Sequence, residues 1–422
     1  MRRPAFSIVI LAVFLLAAFY ILRLWRGIHF LQSHPSQENL LLAMESIPSS
    51  PDPFYRLGLF HEMERRDMDL KESARFLEKA IERNPFEQRY WLNLARVLHE
   101  MGEETRSGEA LEKALFVFPT GFAGRWISAT LLLEQGATEK ALLHFTYILS
   151  RYPNQSGLVY SVLHRTLDDT DFLLEKIVPE DVSSLNQYMS YLSEIGDHRL
   201  AKKVWQRKGS LGFKSSREET LRYIGFLISH GEVNEAFRVW EDRMREEGLP
   251  TSSRGNLITN GGFEKEEVPG GGFDWKIEKV NGAEISFDPS VAFEGRRSMK
   301  IVFDGKENID FRHVSQFVSL RPDTDYILKA LMRCKAITTR SGLKIEIQGI
   351  GPAFHSASES LTGDNEWKEV ALSFRTPAQS QGGVVRVRRE MTDKLDRFIA
   401  GTIWIDHIRL TETSEASPLK ER

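Results

Sequence analysis

The polar side chains best placed to bind a ligand lie in two alternating segments of the C-terminal third of the chain. Because successive side chains of a strand point to opposite faces, Glu346 and Gln348 share one face, and the isoleucines beside them share the other. Arg386 and Arg388 alternate with valines in the same way. These four side chains predict a polar row that lines a groove, and an ordinary solvated face of a sheet is the alternative.

Sequence motifs for catalysis are absent. Two His-Glu pairs, at positions 61–62 and 99–100, begin like the zinc-protease motif, but Arg65 and Glu103 stand where the second histidine is required. The sequence contains no Gly-x-Ser-x-Gly motif and no phosphate-binding loop. Its many carboxylates do not single out a glycosidase pair. We therefore expect a non-catalytic protein.

Charge and cysteine content argue against nucleic-acid binding, disulfides and cysteine zinc sites. The 422-residue chain has a net charge of −3. Residues 51–250 hold 27 Lys/Arg against 32 Asp/Glu, and residues 256–412 hold 22 against 23. Neither part has the basic surplus that binding to nucleic-acid phosphates requires, so no nucleic-acid partner is expected. Cys334 is the only cysteine, which excludes an internal disulfide and a cysteine zinc site.

The N-terminal segment predicts a membrane anchor. Residues 4–22 contain no charged side chain, and these 19 residues in a helix roughly span a hydrocarbon core of about 30 Å. The segment lacks the small-x-small cleavage site of a signal peptide, and Tyr20 and Trp25 lie near its end, where they suit the membrane interface. We assign residues 1–30 to an uncleaved transmembrane anchor and residues 31–50 to a juxtamembrane segment.

The middle of the chain carries an internal repeat. Pro85, Pro119 and Pro153 are spaced by 34 residues, and Gly102 and Gly136 have the same spacing. Proline ends a helix, and glycine permits the left-handed turn between two helices. With the small residues between them, these positions resemble the tetratricopeptide repeat family, whose period is about 34 residues.

That resemblance implies an all-α solenoid over residues 51–250. We expect about five helical hairpins and one irregular unit, because residues 154–184 break the period. Solenoids of this kind present a concave groove that binds peptides or other proteins, so we expect protein partners there. A helical spacer that holds the next domain away from the membrane is the alternative.

The pattern changes near residue 250. Residues 251–255 are a linker of turn-forming residues, and short alternating segments then replace the helical period. These segments predict strands at 284–287, 298–303, 314–320, 325–334, 343–347, 367–374, 384–388 and 402–410. We expect an all-β sandwich over residues 256–412 and a disordered tail over residues 413–422.

The two ends of this region carry distinctive motifs. Residues 256–264 have the sequence NLITNGGFE, and Trp275 follows shortly. They are similar to the opening strand and the tryptophan of family-4/9 carbohydrate-binding modules, which are galactose-binding-like jelly rolls. Residues 403–410, with the sequence IWIDHIRL, are similar to the closing strand of that family. The resemblance implies a jelly-roll sandwich that binds polysaccharide.

The resemblance also implies a sugar site. Sugars are bound by aromatic faces that stack on C–H groups and by polar side chains that hydrogen-bond to hydroxyls. Trp275 and the loop residue His355 are the freer aromatic side chains, whereas Trp367 and Trp404 lie within strand patterns and are expected in the core. The candidate carbohydrate-binding residues are Trp275, Glu346, Gln348, His355, Arg386 and Arg388.

In the same family, an acidic residue of the opening strand and one of the closing strand help to hold a structural calcium ion. Glu264 and Asp406 match these positions, and carboxylates suit Ca²⁺. The second acidic residue of the closing strand is replaced here by His407, which removes one oxygen ligand. One Ca²⁺ bound by Glu264 and Asp406, or two solvated carboxylates, are the alternatives.

Together these features predict a single-pass protein of the bacterial inner membrane whose C-terminal domains are periplasmic. We expect a scaffold for polysaccharide assembly or export, which binds protein partners through its repeats and glycan through its sandwich. A protein-assembly factor whose sandwich binds no sugar is the first alternative. A glycan-processing enzyme with an unrecognised site is the second.

The predicted topology can be tested with reporter fusions. Alkaline phosphatase fused after residue 422 is expected to be active, because this enzyme forms its disulfides only in an oxidising compartment such as the periplasm. β-Galactosidase fused at the same residue is the matched control and is expected to be inactive. The reverse pattern would place the C-terminal domains in the cytoplasm and contradict the prediction.

Overall fold

The structure is a computed structural model that describes residues 3–34, 36–63, 69–167, 169–249, 255–265 and 271–413, without the side chains of residues 3–8 and 63. The chain divides into two compact units. The first comprises Met1–Ile195 with Arg199–Gly212, and the second comprises Gly196–His198 with Phe213–Arg422. Apart from Gly255 and Thr413, the predicted linker and C-terminal tail lie outside the described residues.

Helices make up most of the described chain from residue 3 to residue 249. They are α1 (Arg3–Gln32), α2 (Gln37–Ser46), α3 (Asp52–Met63), α4 (Leu70–Arg83), α5 (Gln88–Glu100), α6 (Glu104–Val117), α7 (Phe122–Glu134), α8 (Thr138–Arg151), α9 (Ser156–Thr166), α10 (Thr170–Phe172), α11 (Val182–Ile195), α12 (His198–Ser210), α13 (Arg217–Ser229) and α14 (Val233–Glu246). A 3-10 turn at Pro153–Gln155 precedes α9, and a π-helical turn at Leu173–Ile177 follows α10. The predicted all-α architecture is confirmed.

The first helix is long and apolar enough to cross a membrane. The 24 residues Val9–Gln32 of α1 meet this criterion by length and composition, and their apolar window is not buried in the protein. The end of α1 packs closely against the segment that follows it, because a Cβ on Gly27 would lie 2.7 Å from Cγ2 of Ile47. Arg23 also donates a hydrogen bond of 2.7 Å to the carbonyl of Glu45. The segment predicted as juxtamembrane therefore contains a helix, α2, packed on α1.

The helices after α2 follow the predicted period. Helices α4, α6 and α8 end at Arg83, Val117 and Arg151, which are 34 residues apart. From α3 to α14 there are six successive helix pairs, and α9/α10 with its π-helical turn is the irregular one. The region is thus a helical repeat domain with the expected break.

Small residues bring neighbouring helices of the repeat together. Ala95 of α5 and Ala114 of α6 are fully buried, and Ser107 Oγ donates a hydrogen bond of 2.7 Å to the carbonyl of Ala95. Gly102, between these two helices, has a φ of 77°, a left-handed conformation that glycine adopts without steric cost. The spacing of small residues in the sequence therefore reflects close helix contact.

The C-terminal region is a sandwich of two antiparallel sheets. Its strands are β1 (Lys276–Ile277), β2 (Ala283–Asp288), β3 (Ser298–Asp304), β4 (Phe311–Ser319), β5 (Asp325–Ile337), β6 (Lys344–Ile350), β7 (His355–Ala357), β8 (Gly363–Arg375), β9 (Gly382–Arg389) and β10 (Ala400–Glu412). Sheet 1 has the order β1-β4-β9-β6-β7, and sheet 2 has the order β2-β3-β10-β5-β8. All eight strands predicted from the sequence are present, and β1 and β7 are additional.

The segment predicted to be an opening strand is not one. Residues 255–265 form turns, in which Asn260 and Phe263 have positive φ angles of 52° and 57°. These two left-handed residues, three positions apart, interrupt the extended backbone that a strand requires, and the segment turns instead. The segment nevertheless attaches to β10, since the Leu257 amide donates to the carbonyl of Leu410 and the Ile408 amide donates to that of Gly261, both at 2.9 Å.

The last helix pair belongs to the same compact unit as the sandwich. Trp240 of α14 is 1% exposed, and a Cβ on Gly272 would lie 2.5 Å from its Cε3. The rings of Phe237 and Phe273 pack edge to face at 5.0 Å. At the end of β4, Ser319 Oγ donates a hydrogen bond of 2.7 Å to Asn234 Oδ1 of α14. The compact unit therefore begins before the linker that composition indicates.

Replacing Trp240 is expected to loosen the sandwich as well as α14. Truncating a buried tryptophan to alanine typically costs about 3–5 kcal/mol, so Trp240→Ala should accelerate amide hydrogen exchange in β4 and β9 by about a hundredfold or more. Arg238→Ala, on the exposed face of the same helix, is the control and should leave exchange unchanged. If Trp240→Ala affected α14 alone, the helix pair would not stabilise the sandwich.

Candidate functional site

The predicted polar residues lie on the outer face of sheet 1. The register across β4, β9, β6 and β7 aligns two rows of side chains. One row consists of Phe317, Val384, Gln348 and His355, and the next consists of Ser315, Arg386, Glu346 and Ala357. The register thus brings polar side chains from three strands and a loop-proximal histidine to one surface.

Glu346 is the centre of this surface. Its side chain is only 5% exposed, although it lies on the outer face, because three basic side chains surround it. His355 Nε2 lies 3.1 Å from Oε2, Arg386 Nη1 lies 3.5 Å from Oε1, and Arg388 Nε lies 3.8 Å from Oε2. A buried carboxylate needs such partners, because an unpaired buried charge is strongly destabilising.

Arg386 and Arg388 are held in place by further hydrogen bonds. Arg386 donates to Gln348 Oε1 through Nη1, and Arg388 donates to Asp310 Oδ1. The imidazole of His355 is 54% exposed and forms the outer edge of the cluster. The surface therefore presents fixed amide, guanidinium and imidazole groups, which are complementary donors and acceptors for the hydroxyls of a sugar.

Trp275 is not part of this surface, so its prediction as a sugar-stacking residue is wrong. It is fully buried between the sheets, and its Nε1 donates a hydrogen bond of 3.1 Å to the carbonyl of Asn260. Its ring packs against Phe263 at 5.4 Å between ring centroids. The turns of residues 255–265 supply both of these contacts, which the sequence pattern did not reveal.

Trp367 and Trp404 were expected in the core and are instead only partly buried. The register places Trp404 opposite Lys300 and Arg333 on the outer face of sheet 2, and both cations lie within 5.8 Å of its ring centroid. Its Nε1 donates a hydrogen bond of 2.9 Å to Asp288 Oδ2. Hydrogen bonds from Ser290, and then from Trp404, hold the pKa of Asp288 well below its usual range.

An aromatic pair on sheet 2 escaped the sequence analysis. Phe293, in the loop before β3, is 52% exposed, and its ring lies 5.9 Å from that of Trp367 in an edge-to-face arrangement. Loop residues such as Phe293 have no periodic pattern that would predict their position. The pair makes the outer face of sheet 2 a second surface on which a sugar ring can stack.

The two predicted calcium ligands both hold the loop that precedes β3. Asp406 is fully buried; its Oδ2 accepts hydrogen bonds from the amides of Phe293 at 2.9 Å and Glu294 at 3.1 Å, and its Oδ1 accepts one from the His407 amide at 2.7 Å. Burial raises the pKa of Asp406, and these amide hydrogen bonds lower it by less. The amides thus compensate a buried carboxylate.

Glu264 accepts backbone hydrogen bonds in the same way. Glu264 Oε1 accepts hydrogen bonds from the amides of Arg296 at 2.9 Å and Arg297 at 3.4 Å. Calcium takes six to eight oxygen ligands, whereas amide N–H groups point at these carboxylates. The described residues contain no group of three acidic, histidine or cysteine side chains that could hold a metal ion. Calcium here stays an untested prediction.

Comparison with known proteins agrees with the fold. Residues 255–394 match the CBM_4_9 family model, which is described as a carbohydrate binding domain. The C-terminal domain is a β-sandwich carbohydrate-binding module. The match ends before β10, although β10 lies in the middle of sheet 2 between β3 and β5.

Individual proteins with similarity to this chain match 37–39% of its length. The tRNA(Glu)-specific nuclease WapA of Bacillus subtilis subsp. natto (strain BEST195) is 25% identical over 174 residues, which are 39% of this chain and 7% of the nuclease. A family 16 carbohydrate-binding module is 24% identical, with a TM-score of 0.26, over 37% of this chain and all of the module. A CBM4 structure is 14% identical, with a TM-score of 0.28, over 37% of this chain and 99% of that one. The chain thus spans a small part of the curated nuclease.

The role of Asp406 can be tested by mutation and chelation. Asp406→Ala removes the acceptor of three amides, and each buried donor left unsatisfied costs about 1–3 kcal/mol. We expect the thermal midpoint of the solubilised chain to fall by several degrees, at about 2–4 °C per kcal/mol for a unit of this size.

Because backbone amides already donate hydrogen bonds to both carboxylates, a chelator is expected to leave the wild-type midpoint unchanged. Glu264→Gln is the control, since it weakens any cation site and keeps a side-chain oxygen. A midpoint that falls with chelator in the wild type, but not in Glu264→Gln, would support the calcium prediction.

Proposed function

We propose that this protein is a membrane-anchored, non-catalytic scaffold that binds glycan through its sandwich and protein partners through its helical repeats, in bacterial polysaccharide assembly or export. The observation that carries the proposal is the cluster of Glu346, His355, Arg386 and Arg388 on an open face of a carbohydrate-binding module. The periplasmic placement of the sandwich is part of the proposal.

The outer face of sheet 1 suits a sugar chain for two reasons. Its hydrogen-bonding groups are already ordered, so little side-chain entropy is lost when a glycan binds. Phe317 and Val384 lie in the same row as Gln348 and His355 and are only partly buried. They offer an apolar strip for the C–H groups of a sugar ring beside the polar groups that bind its hydroxyls.

The helical part supports attachment and protein contact. Helix α1 supplies a candidate membrane span. Phe86, Phe116 and Leu143, in the first compact unit, are largely exposed; a contiguous apolar patch, rather than single exposed side chains, is what marks a protein-binding surface. A spacer role for the repeats remains the alternative to protein binding.

One observation favours a second candidate function, a protein-assembly factor whose sandwich binds no sugar. The polar groups of the face already satisfy one another, since Arg386 bonds Gln348 and Arg388 bonds Asp310. A glycan must therefore replace or extend these bonds. Only a binding measurement separates the two functions.

The proposal is tested by screening the detergent-solubilised chain on a glycan array. The double variant Gln348→Ala/His355→Ala removes two exposed groups of the face and should weaken binding about tenfold or more, because each lost hydrogen bond contributes about 0.5–1.5 kcal/mol and the lost surface adds to this. Ser373→Ala/Arg375→Ala, at exposed positions of β8 in sheet 2, is the matched control.

Trp367→Ala separates the two faces of the sandwich. Unchanged affinity in this variant is expected if sheet 1 holds the glycan. A loss of binding in Trp367→Ala, with none in Gln348→Ala/His355→Ala, would move the site to sheet 2. Absence of binding to every glycan would favour the protein-assembly factor.

A further inference from the structure

The outer face of sheet 1 that carries Glu346, Gln348, His355, Arg386 and Arg388 is the polar face. A cavity of about 350 Å³ lies at one end of it. It lies where β6 begins and β9 ends, and three loops around residues 340–342, 358–360 and 390–394 line it. Lys344 joins the two sites, because it lies in the cavity wall and, by register, opposite Arg388 of the polar face. The cavity therefore adjoins the face that is proposed to bind glycan.

The cavity wall carries an excess of positive charge. Arg340, Lys344 and Lys394 line it together with a single carboxylate, Glu390. Over the whole sandwich, in contrast, residues 256–412 hold 22 basic and 23 acidic residues. The same loops also carry Asp393 and Glu359, which pairs with Lys368, so the excess of positive charge is confined to the side chains that line the cavity.

Two of these cations are not neutralised within the described chain. Lys344 lies 3.2 Å from Glu390, whose side chain is 55% exposed. The side chains of Arg340 and Lys394 are exposed and form no ion pair with a described side chain. Their backbone amides donate hydrogen bonds to Asp396 Oδ2 at 2.7 Å and Thr392 Oγ1 at 3.3 Å, respectively. Their side chains are therefore available to an anion that enters the cavity.

The loops that hold these cations are fixed in place. A Cβ on Gly342 would lie 1.8 Å from the carbonyl oxygen of Leu361, so the first two loops pack as closely as backbone allows. Ser341 Oγ donates a hydrogen bond of 2.6 Å to the carbonyl of Glu390, which ties the first loop to the third. The cavity is therefore formed before any ligand binds, and binding needs little reordering.

The rim of the cavity also carries apolar surface. Met391 lines the cavity, and its side chain is 60% exposed. A charged recess with an apolar rim matches a ligand that combines an anionic substituent with an apolar ring face. A sugar acid has both.

We infer that this cavity binds the carboxylate of a uronic acid, so that the glycan ligand is an acidic polysaccharide. The inference rests on the proposed function, since it names the class of glycan that the polar face binds. The Arg340 guanidinium provides two parallel donors for a carboxylate, and Lys344 and Lys394 add point charges. The hydroxyl groups of the polysaccharide that lie outside the cavity remain free to contact the polar face.

The test uses polygalacturonate, alginate and hyaluronate, each paired with its carboxyl-reduced neutral form, and the solubilised full chain. We expect at least one acidic polymer to bind about tenfold or more tightly than its reduced form, and the difference to shrink at high salt because salt screens charge. Arg340→Gln/Lys394→Gln should abolish the difference and leave binding of the reduced form unchanged. Lys306→Gln/Lys335→Gln, two exposed lysines elsewhere on the sandwich, is the control with the same change in charge.

The other possible results of these binding experiments distinguish failure of the inference from failure of the proposed function. Equal affinity for acidic and reduced polymers, or binding of neutral glycans alone, overturns the inference and leaves the proposed function standing. Absence of binding to any glycan rejects the proposed function and the inference with it. Binding to phosphatidylglycerol vesicles that depends on Arg340 and Lys394, without preference for acidic glycans, assigns the cavity to lipid headgroups and also overturns the inference.

Discussion

The register of β9 between β4 and β6 is the constraint on which the sandwich and its candidate site both depend. Val385 and Val387 of β9 are buried in the core, and Arg386 pairs with Ser315 on one side and Glu346 on the other. A shift by one residue would place Arg386 in the core and the valines in solvent. The hydrophobic core therefore selects the register, and the register assembles the polar cluster around Glu346.

Periodic patterns explain how much of this was predictable from the sequence. The alternation of isoleucine and valine with polar residues predicted β6 and β9 and placed Glu346, Gln348, Arg386 and Arg388 on one surface. The turns of residues 255–265 were missed although Asn260-Gly261-Gly262 is a turn signal, because the likeness to an opening strand outweighed it. Trp275 was misplaced for the same reason, since these turns cover it.

Three further features of the structure were not predicted. For one of them the sequence carried a signal that was overridden, and for the other two it carried none. Trp404 lies between Ile403 and Ile405, both fully buried, so strict alternation indicates an outward tryptophan; its size and hydrophobicity outweighed that pattern. The cavity lined by Arg340, Lys344 and Lys394 is formed by loops that are spread over about fifty residues of sequence, and only the fold brings these loops together. The contacts of Trp240 with Gly272 likewise join a helix to the sandwich across a segment whose composition predicts a boundary.

The central claim is that a glycan binds the outer face of sheet 1, and side-chain footprinting of the full chain with hydroxyl radicals tests it most directly. The glycan that binds most tightly is added, and oxidation of individual side chains is measured by mass spectrometry. The account predicts reduced oxidation of His355 and Phe317, with Phe293 and Trp367 on the other side of the sandwich unchanged. Protection of Phe293 and Trp367, with His355 and Phe317 oxidised as in the free protein, would contradict it.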